Sequence, residues 1–454
     1  MLDKVFELET KHDLKKVKIG KLCVWPFLRI YFGYKLTYNV SSAVINLQTF
    51  RSILFTLFSG FTHLFSGYDF LFFSDSEQRR KIGEKYVDRF DFVTPIIGGR
   101  SLFFEILFIT NHSTNSIPTQ FRTSKSILYA LEYICIKLLV FKRIRAREVL
   151  DQIKADYGLT VDYHYFGRRF YAQYLIGITL ARLYRPKAVF FITPYNNLGY
   201  LVGFKKHGIK VVEMQHGVIN KHHLGYNPSI DFGSLYQPDH LLTFGRRELE
   251  VFKGGNCYIQ SSEVYPVGNF YFDYLVNEYG GDEKIRTLSK NFEKVIAVSA
   301  EFDIEGEIIQ FMNKVASKLN HFLFLYMPRN KKAIDYKDYQ FEPNIVITDW
   351  LNSYQVIRQS DFHTCVRSTT ALEAVALGTQ NVLINLKNYA ESYFKDTLTD
   401  NRITLFVNTE EEYVQALTTF PSLPKEEVMR SDNNIIAPNF KDNLQRVLHK
   451  IITS

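Results

Sequence analysis

Two stretches of the chain share one rhythm, in which short, continuous apolar runs alternate with segments whose apolar residues recur at helical spacing. The first stretch has runs at 68–73 (YDFLFF), 188–192 (AVFFI), 209–213 (IKVVE) and 240–244 (HLLTF), a helix over 197–206 closed by Gly208, and a short segment at 264–269 (VYPVGN). The second has runs at 294–298, 322–326, 344–347, 361–366, 381–384 and 403–407, with helices over 305–318 and 370–377 among them. Unbroken apolar runs predict strands buried on both faces, and their alternation with helices predicts βαβ units.

The fold class is therefore α/β, with two doubly wound parallel-sheet (Rossmann-like) domains facing across a cleft and ligands at the carboxyl ends of the strands. The polar segment 277–294, with Gly280 and Gly281, is the clearest seam. It divides the chain into an N-terminal domain, 1–276, with helical additions, and a C-terminal domain, 277–454. Residues 52–65 (SILFTLFSGFTHLF) are too few for a spanning helix, which needs about twenty apolar residues, and read as a buried helix. Residues 126–147 (SILYALEYICIKLLVFKRIRAR) form a second apolar stretch that gathers Lys137, Lys142, Arg143, Arg145 and Arg147 toward its end. They read either as a core helix with a basic terminus or as a peripheral contact with an anionic membrane.

Composition narrows the picture. With 454 residues and 46% apolar content the chain builds sizeable cores, which excludes disorder as its main character. A net charge of +8, 55 basic against 47 acidic residues, suits anionic partners, but no basic stripe interleaved with aromatics marks nucleic-acid binding. The four cysteines lie far apart in sequence without metal-ligand spacing, and the charged N-terminus lacks the apolar run of a signal peptide. The expected location is cytoplasmic, with peripheral contact on the inner face of the membrane as an option.

Two segments carry candidate chemistry. In 361–384 (DFHTCVRSTTALEAVALGTQNVLI) a strand leads into Arg367, Ser368, Thr369 and Thr370, where a helix begins, so hydroxyls, amides and the positive helix end converge as for a phosphate. Thr370 and Glu373 also have capping-box spacing. In 213–226 (EMQHGVINKHHLGY), Gln215, His216, His223 and Tyr226 follow a strand at its carboxyl end, and Gly217 permits close backbone approach. His222 completes a histidine trio, without the regular carboxylate spacing of a metal site. Asp75, ending the first strand in SDSEQRR, is a candidate carboxylate or a helix cap.

The order of VVEMQHGVINKHHLGY, PDHLLTFG, YPVGNFYFD and VRSTTALEAVALGTQNVLI resembles that of bacterial GT-B type glycosyltransferase-like proteins of capsule and surface-polysaccharide biosynthesis. Capsule synthesis transferases and CDP-glycerol glycerophosphotransferases share these motifs, and UDP-sugar 2-epimerases do so more remotely. The resemblance implies that Ser368 and Thr369 hold the donor phosphate, that Glu373 meets a ribose, and that His216 acts in catalysis or phosphate contact. Gly268 and Asn269 match a VGNP-like turn, with Phe270 in place of the proline. A Lys-x-His-Pro turn common in the family is here Tyr326-Met327-Pro328-Arg329-Asn330, and Arg329, with Lys331 and Lys332, stands in for the missing histidine.

The implied function is transfer of a sugar, or of a sugar or polyol phosphate, from a nucleotide-activated donor to a glycan or lipid-linked glycan acceptor. No cofactor or essential metal is expected, because helix dipole, hydroxyls and basic side chains stabilise the leaving phosphate. His216 or Asp75 is the general base. A nucleotide-sugar epimerase and a non-catalytic scaffold of a polysaccharide assembly complex are the alternatives.

Overall fold

The computed structural model describes residues 2–38, 55–75, 79–106, 117–119, 121–329, 333–431 and 434–453. Two compact units make up the chain: Met1–Val267 with Lys441–Ser454, and Gly268–Phe440. The division thus falls nine residues before the expected seam, and the last helix, Phe440–Thr453, belongs with the first unit rather than with the C-terminal domain. Gly268 makes the crossing at φ +99°, where an added Cβ would stand 2.4 Å from the Ala437 carbonyl oxygen. Asn269 then caps helix Phe270–Asn277 by accepting from the Tyr271 amide. The Gly-Asn turn is the boundary, and the polar stretch after it is surface of the second unit.

The first unit is built on seven parallel strands: β1 (Phe70–Asp75), β2 (Ser101–Ile106), β3 (Arg122–Ser124), β4 (Ala188–Phe191), β5 (Lys210–Met214), β6 (His240–Thr243) and β7 (Val264–Pro266). Their order is β7-β6-β5-β4-β1-β2-β3, which reverses direction between β1 and β4. Register is fixed by phenylalanine. Phe72 stacks between Phe103 and Phe190 at 4.6 and 4.8 Å on one face, and Phe73 between Phe104 and Phe191 at 5.3 and 4.4 Å on the other. These are the Cα-paired residues of β1, β2 and β4, so a slip of one residue would break every stack. Each pair adds about 0.5 to 1.5 kcal/mol beyond its buried area.

Glycine sets the helical layer over this sheet. Helix Tyr163–Tyr184 and helix Leu198–Lys205 touch backbone to backbone through Gly177, Gly199 and Gly203. An added Cβ at Gly199 would meet the Phe170 carbonyl oxygen at 2.2 Å, and one at Gly203 the Tyr174 carbonyl oxygen at 2.8 Å.

The second unit has six parallel strands: β8 (Lys294–Ser299), β9 (Phe322–Met327), β10 (Ile345–Ile347), β11 (Phe362–Thr364), β12 (Gln380–Ile384) and β13 (Thr404–Val407). The order β10-β9-β8-β11-β12-β13 reverses between β8 and β11. Each sheet therefore has a switch point at which the loops leaving two adjacent strands diverge and leave room for a ligand.

Two helical expectations change. Residues 52–54 lie outside the described residues, and 55–65 is no buried helix: it forms short turns, including Phe61–Phe65, with Phe55, Phe58 and Phe65 exposed. The helix expected over 126–147 ends at Leu138, because Ile144–Arg145 pairs as a strand with Lys18–Ile19 and a new helix starts at Arg147. Among the described residues no helix is long and apolar enough to cross a membrane.

Gly199→Ala should cost about 1 to 3 kcal/mol by overpacking. Urea denaturation of the variant against wild type, read as a shift in midpoint at constant slope, measures it.

Candidate functional site

At the carboxyl edge of the first sheet, β5 runs into Gln215, His216 and Gly217. Gln215 is buried and fully occupied: its Nε2 donates to the Gly217 carbonyl at 2.8 Å and to Glu248 at 3.0 Å, and its Oε1 accepts from the Phe244 amide. The Arg89 guanidinium donates to the Gln215 carbonyl. Gln215 thus clamps the loops after β5 and β6 together. His216 lies beside it, with Nε2 3.4 Å from the Tyr195 hydroxyl and Nδ1 sealed from solvent without a well-formed hydrogen bond among the described residues. Burial, then the charge of Arg89 and the neighbouring His223, lowers its pKa to about 4. The imidazole is therefore neutral at pH 7.

The loop that follows is held from the N-terminus. Glu9, buried, accepts from Trp25 Nε1 and Arg29 Nε at 2.9 and 2.8 Å, and Arg29 donates onward to the Leu224 and Asn227 carbonyls. His223 accepts from the Gly225 amide at 3.1 Å, and its ring centroid lies 5.8 Å from that of Tyr195. Asp75 ends β1, two strands away from β5 and so on the order of 10 Å across the sheet. Its charge acts on Lys125, whose ammonium burial lowers to about 8 against the opposing pull of Glu132 and Asp75.

In the second unit the turn after β11 wraps around a carboxylate. Glu301, buried just beyond β8, accepts at one oxygen from the amides of Val366, Arg367 and Ser368 at 2.9, 2.8 and 3.1 Å. Arg367 also pairs with Asp303 and lies 4.8 Å over the Tyr389 ring. Behind the turn runs a buried polar chain. Asn381 Nδ2 donates to the Ala371 carbonyl at 2.9 Å, leaving Oδ1 to accept from His363 Nδ1 at 2.8 Å. His363 Nε2 then accepts from Ser299, whose hydroxyl lies 3.0 Å from that of Thr370. Thr370 in turn donates to Ser368 at 2.9 Å. Thr369 is exposed, and its hydroxyl has no partner among the described residues.

No protein-family model matches the sequence, and no curated protein does. Solved structures do match. A UDP-GlcNAc 2-epimerase from Neisseria meningitidis bound to UDP-GlcNAc aligns at TM-score 0.51 and 12% identity, over 85% of this chain and 100% of that one. The wall teichoic acid polymerase TagF, in a structure with CDPG, aligns at TM-score 0.50 and 10% identity, over 100% of this chain and 98% of that one. The fold is GT-B.

The GT-B units place the expected residues unevenly. His216 and His223 come together at one edge, on either side of Tyr195, which was not expected there, and Ser368, Thr369 and Thr370 at the switch point of the other sheet. Tyr226 is not among them: it is fully buried and donates to Glu213 at 2.7 Å, opposite Tyr258 at 2.6 Å. Glu213 itself is pushed up to about 8 by burial, against the two phenol hydrogen bonds. Gly217 has neither a left-handed φ nor a neighbour within 4 Å of an added Cβ, so no turn or close contact requires glycine there. His222 is exposed, and among the described residues no three His, Cys, Asp or Glu gather as metal ligands. The expected capping box is absent: Thr370 is the first helical residue, the cap Thr369 makes no side-chain bond, and Glu373 accepts from Tyr354 at 3.1 Å instead.

Arg329 is exposed after β9, while Asn330, Lys331, Lys332 and Ser76 lie outside the described residues. Sequence reasoning missed Glu301, although an acid three residues beyond an apolar run was its signal. It also missed Arg89 and Asp88. There the signal was DRFD, in which Asp88 and Asp91 form a capping box and burial raises Asp88 to about 6.

Glu301→Ala leaves three turn amides without their acceptor and should cost about 2 to 5 kcal/mol, read by urea denaturation. His363, fully buried, has its pKa lowered from 6.5 to about 4 by desolvation. The unfolded chain binds that proton more readily, so the contribution of His363 is complete above about pH 6.5 and is lost as pH falls toward 4. Glu213, Glu248 and Asp88, all raised by burial, work in the opposite direction. The test is therefore the difference between wild type and His363→Asn, which should shrink by roughly 2 to 3 kcal/mol between pH 7 and pH 4.5.

Proposed function

We propose that the protein is a GT-B glycosyltransferase that moves a sugar, or a sugar or polyol phosphate, from a nucleotide-activated donor to a surface-polysaccharide acceptor of the capsule, O-antigen or teichoic type. The observation that carries the reading is the hydroxyl-lined turn at 368–370, which leaves β11 beside β8, where the strand order of the second sheet reverses. Solved GT-B structures in which a nucleotide sugar or CDPG is present lend support.

On this reading the donor diphosphate meets the hydroxyls of Ser368, Thr369 and Thr370, and Arg329 supplies positive charge. Arg367 holds the turn through Glu301 and Asp303 and so acts on the phosphate indirectly. Glu373, beside Tyr354, is the ribose contact. Hydroxyls and a guanidinium stabilise charge developing on the leaving phosphate, so the step needs no metal. His216, neutral and weakly basic, accepts a hydrogen bond from the acceptor hydroxyl and orients it. The general base is His216 itself or, with the acceptor hydroxyl turned toward the first strand instead, the carboxylate of Asp75.

A thermal-shift series with CMP, CDP, UDP, GDP and dTDP tests the reading. One diphosphate should raise the melting temperature by about 2 to 4 °C at a hundredfold excess over its Kd. Thr369→Val, at an exposed position, should abolish the shift without lowering the melting temperature of the free protein. No shift with any nucleotide would move the protein to the scaffold reading, which the carboxylate inside the turn favours. Conversion of a nucleotide sugar to its isomer without acceptor would move it to the epimerase reading.

A further inference from the structure

Helix Ser126–Leu138 is inverted in polarity. Its one acid, Glu132, points into the first unit, where it accepts from Tyr200 at 2.7 Å and Arg169 at 3.0 Å. Leu128, Glu132, Ile136 and then Leu139 form the buried stripe. The opposite side of a helix at a water boundary is normally polar. Here Leu131, Tyr133, Ile134 and Leu138, continued by Val140 and Phe141, are 43 to 72% exposed. At the first turn of the helix the apolar surface is extended: Thr56 lies 3.1 Å from Ser126 hydroxyl to hydroxyl, in the segment that exposes Phe55, Phe58 and Phe65.

The charge that this segment exposes has one sign. Between 126 and 147 there are five basic residues, Lys137, Lys142, Arg143, Arg145 and Arg147, and the single acid is the buried Glu132. Acids return only from Glu148 onward. Lys137 lies 5.4 Å over the Tyr133 ring, so its charge sits at the apolar surface itself. Six large apolar side chains exposed within the eleven residues 131–141 are unusual on a protein surrounded by water. An apolar face edged by lysine and arginine, with aromatic rings among the exposed side chains, matches the boundary between acyl chains and anionic headgroups. A helix of 13 residues cannot span a bilayer.

We infer that this face docks the protein flat on an anionic lipid bilayer, with Leu131, Ile134, Leu138 and Phe141 entering the acyl boundary and the basic residues after Leu138 meeting the headgroups. The occupant is lipid rather than a second copy of this chain because every charge the segment carries from 133 to 147 is basic, and a face shared by two copies would set like charges against each other.

The test is flotation of the full chain with vesicles of phosphatidylcholine alone, and of phosphatidylcholine with about a third phosphatidylglycerol. Wild type should float with the anionic vesicles, and binding should fall with added salt. Leu138→Glu with Phe141→Glu should reduce it tenfold or more. Arg143→Ala with Arg145→Ala should reduce it about fivefold per charge. All four side chains are exposed, so both pairs should melt as wild type does, and both should keep its nucleotide-induced shift, which separates docking from donor binding. The inference is overturned if wild type floats with neither vesicle, or if the apolar pair floats as wild type does. It is equally overturned if wild type sediments as a dimer that the apolar pair dissociates while binding no vesicle.

Discussion

Stacked phenylalanines at equal heights in β1, β2 and β4 are the constraint on which the first unit rests. Parallel strands need a long connection between each pair, so their register is not set by turns and must come from side chains. Phe72 and Phe73 supply it on both faces at once. With register set, the carboxyl ends of the strands fall on one edge, and segments as distant in sequence as the strand end at 74–75 and the loops at 193–195 and 215–217 lie along it. The glycine contacts above the sheet serve the same end, since helix Leu198–Lys205 must sit close if the loop at Tyr195 is to reach His216.

Along both edges the protein controls charge by burial and internal pairing. Neutral His216 and His363 result from desolvation. The amides of the 366–368 turn, which geometry would offer to an anion, are filled by Glu301. This fixes the turn's shape without waiting for a ligand, and what it then presents outward is hydroxyl rather than amide. A preformed site costs less ordering when its ligand arrives.

The apolar runs made most of the architecture legible: YDFLFF, AVFFI and IKVVE became β1, β4 and β5, and every run named in the second stretch overlaps a strand. What escaped did so for physical reasons. β3 is three residues long and reads as loop. Helix Tyr163–Tyr184 is buried on several sides, so its apolar residues show little one-sided periodicity. At the candidate site, position along a strand was readable, which located His216 and Ser368. Partnership was not, since a carboxylate at 301 filling a turn at 366–368 is a contact between segments 65 residues apart. The same blindness let Tyr226 and Gln215 pass for ligand contacts, when hydrogen bonds to Glu213 and Glu248 make them part of the framework.

The terminal helix Phe440–Thr453 buries Leu444, Leu448 and Ile451 and brings the Ile451 carbonyl to Lys210 beside β5. Its burial makes the second unit an insertion within the first, since Gly268–Phe440 is one continuous segment and the first unit is not. During synthesis, residues 268–440 emerge whole and can close their own core while the first unit, although begun earlier, still lacks its last helix. The order in which the halves are translated is thus reversed in the order in which they are completed. Loss of the last 14 residues would injure the unit made first and spare the one made second.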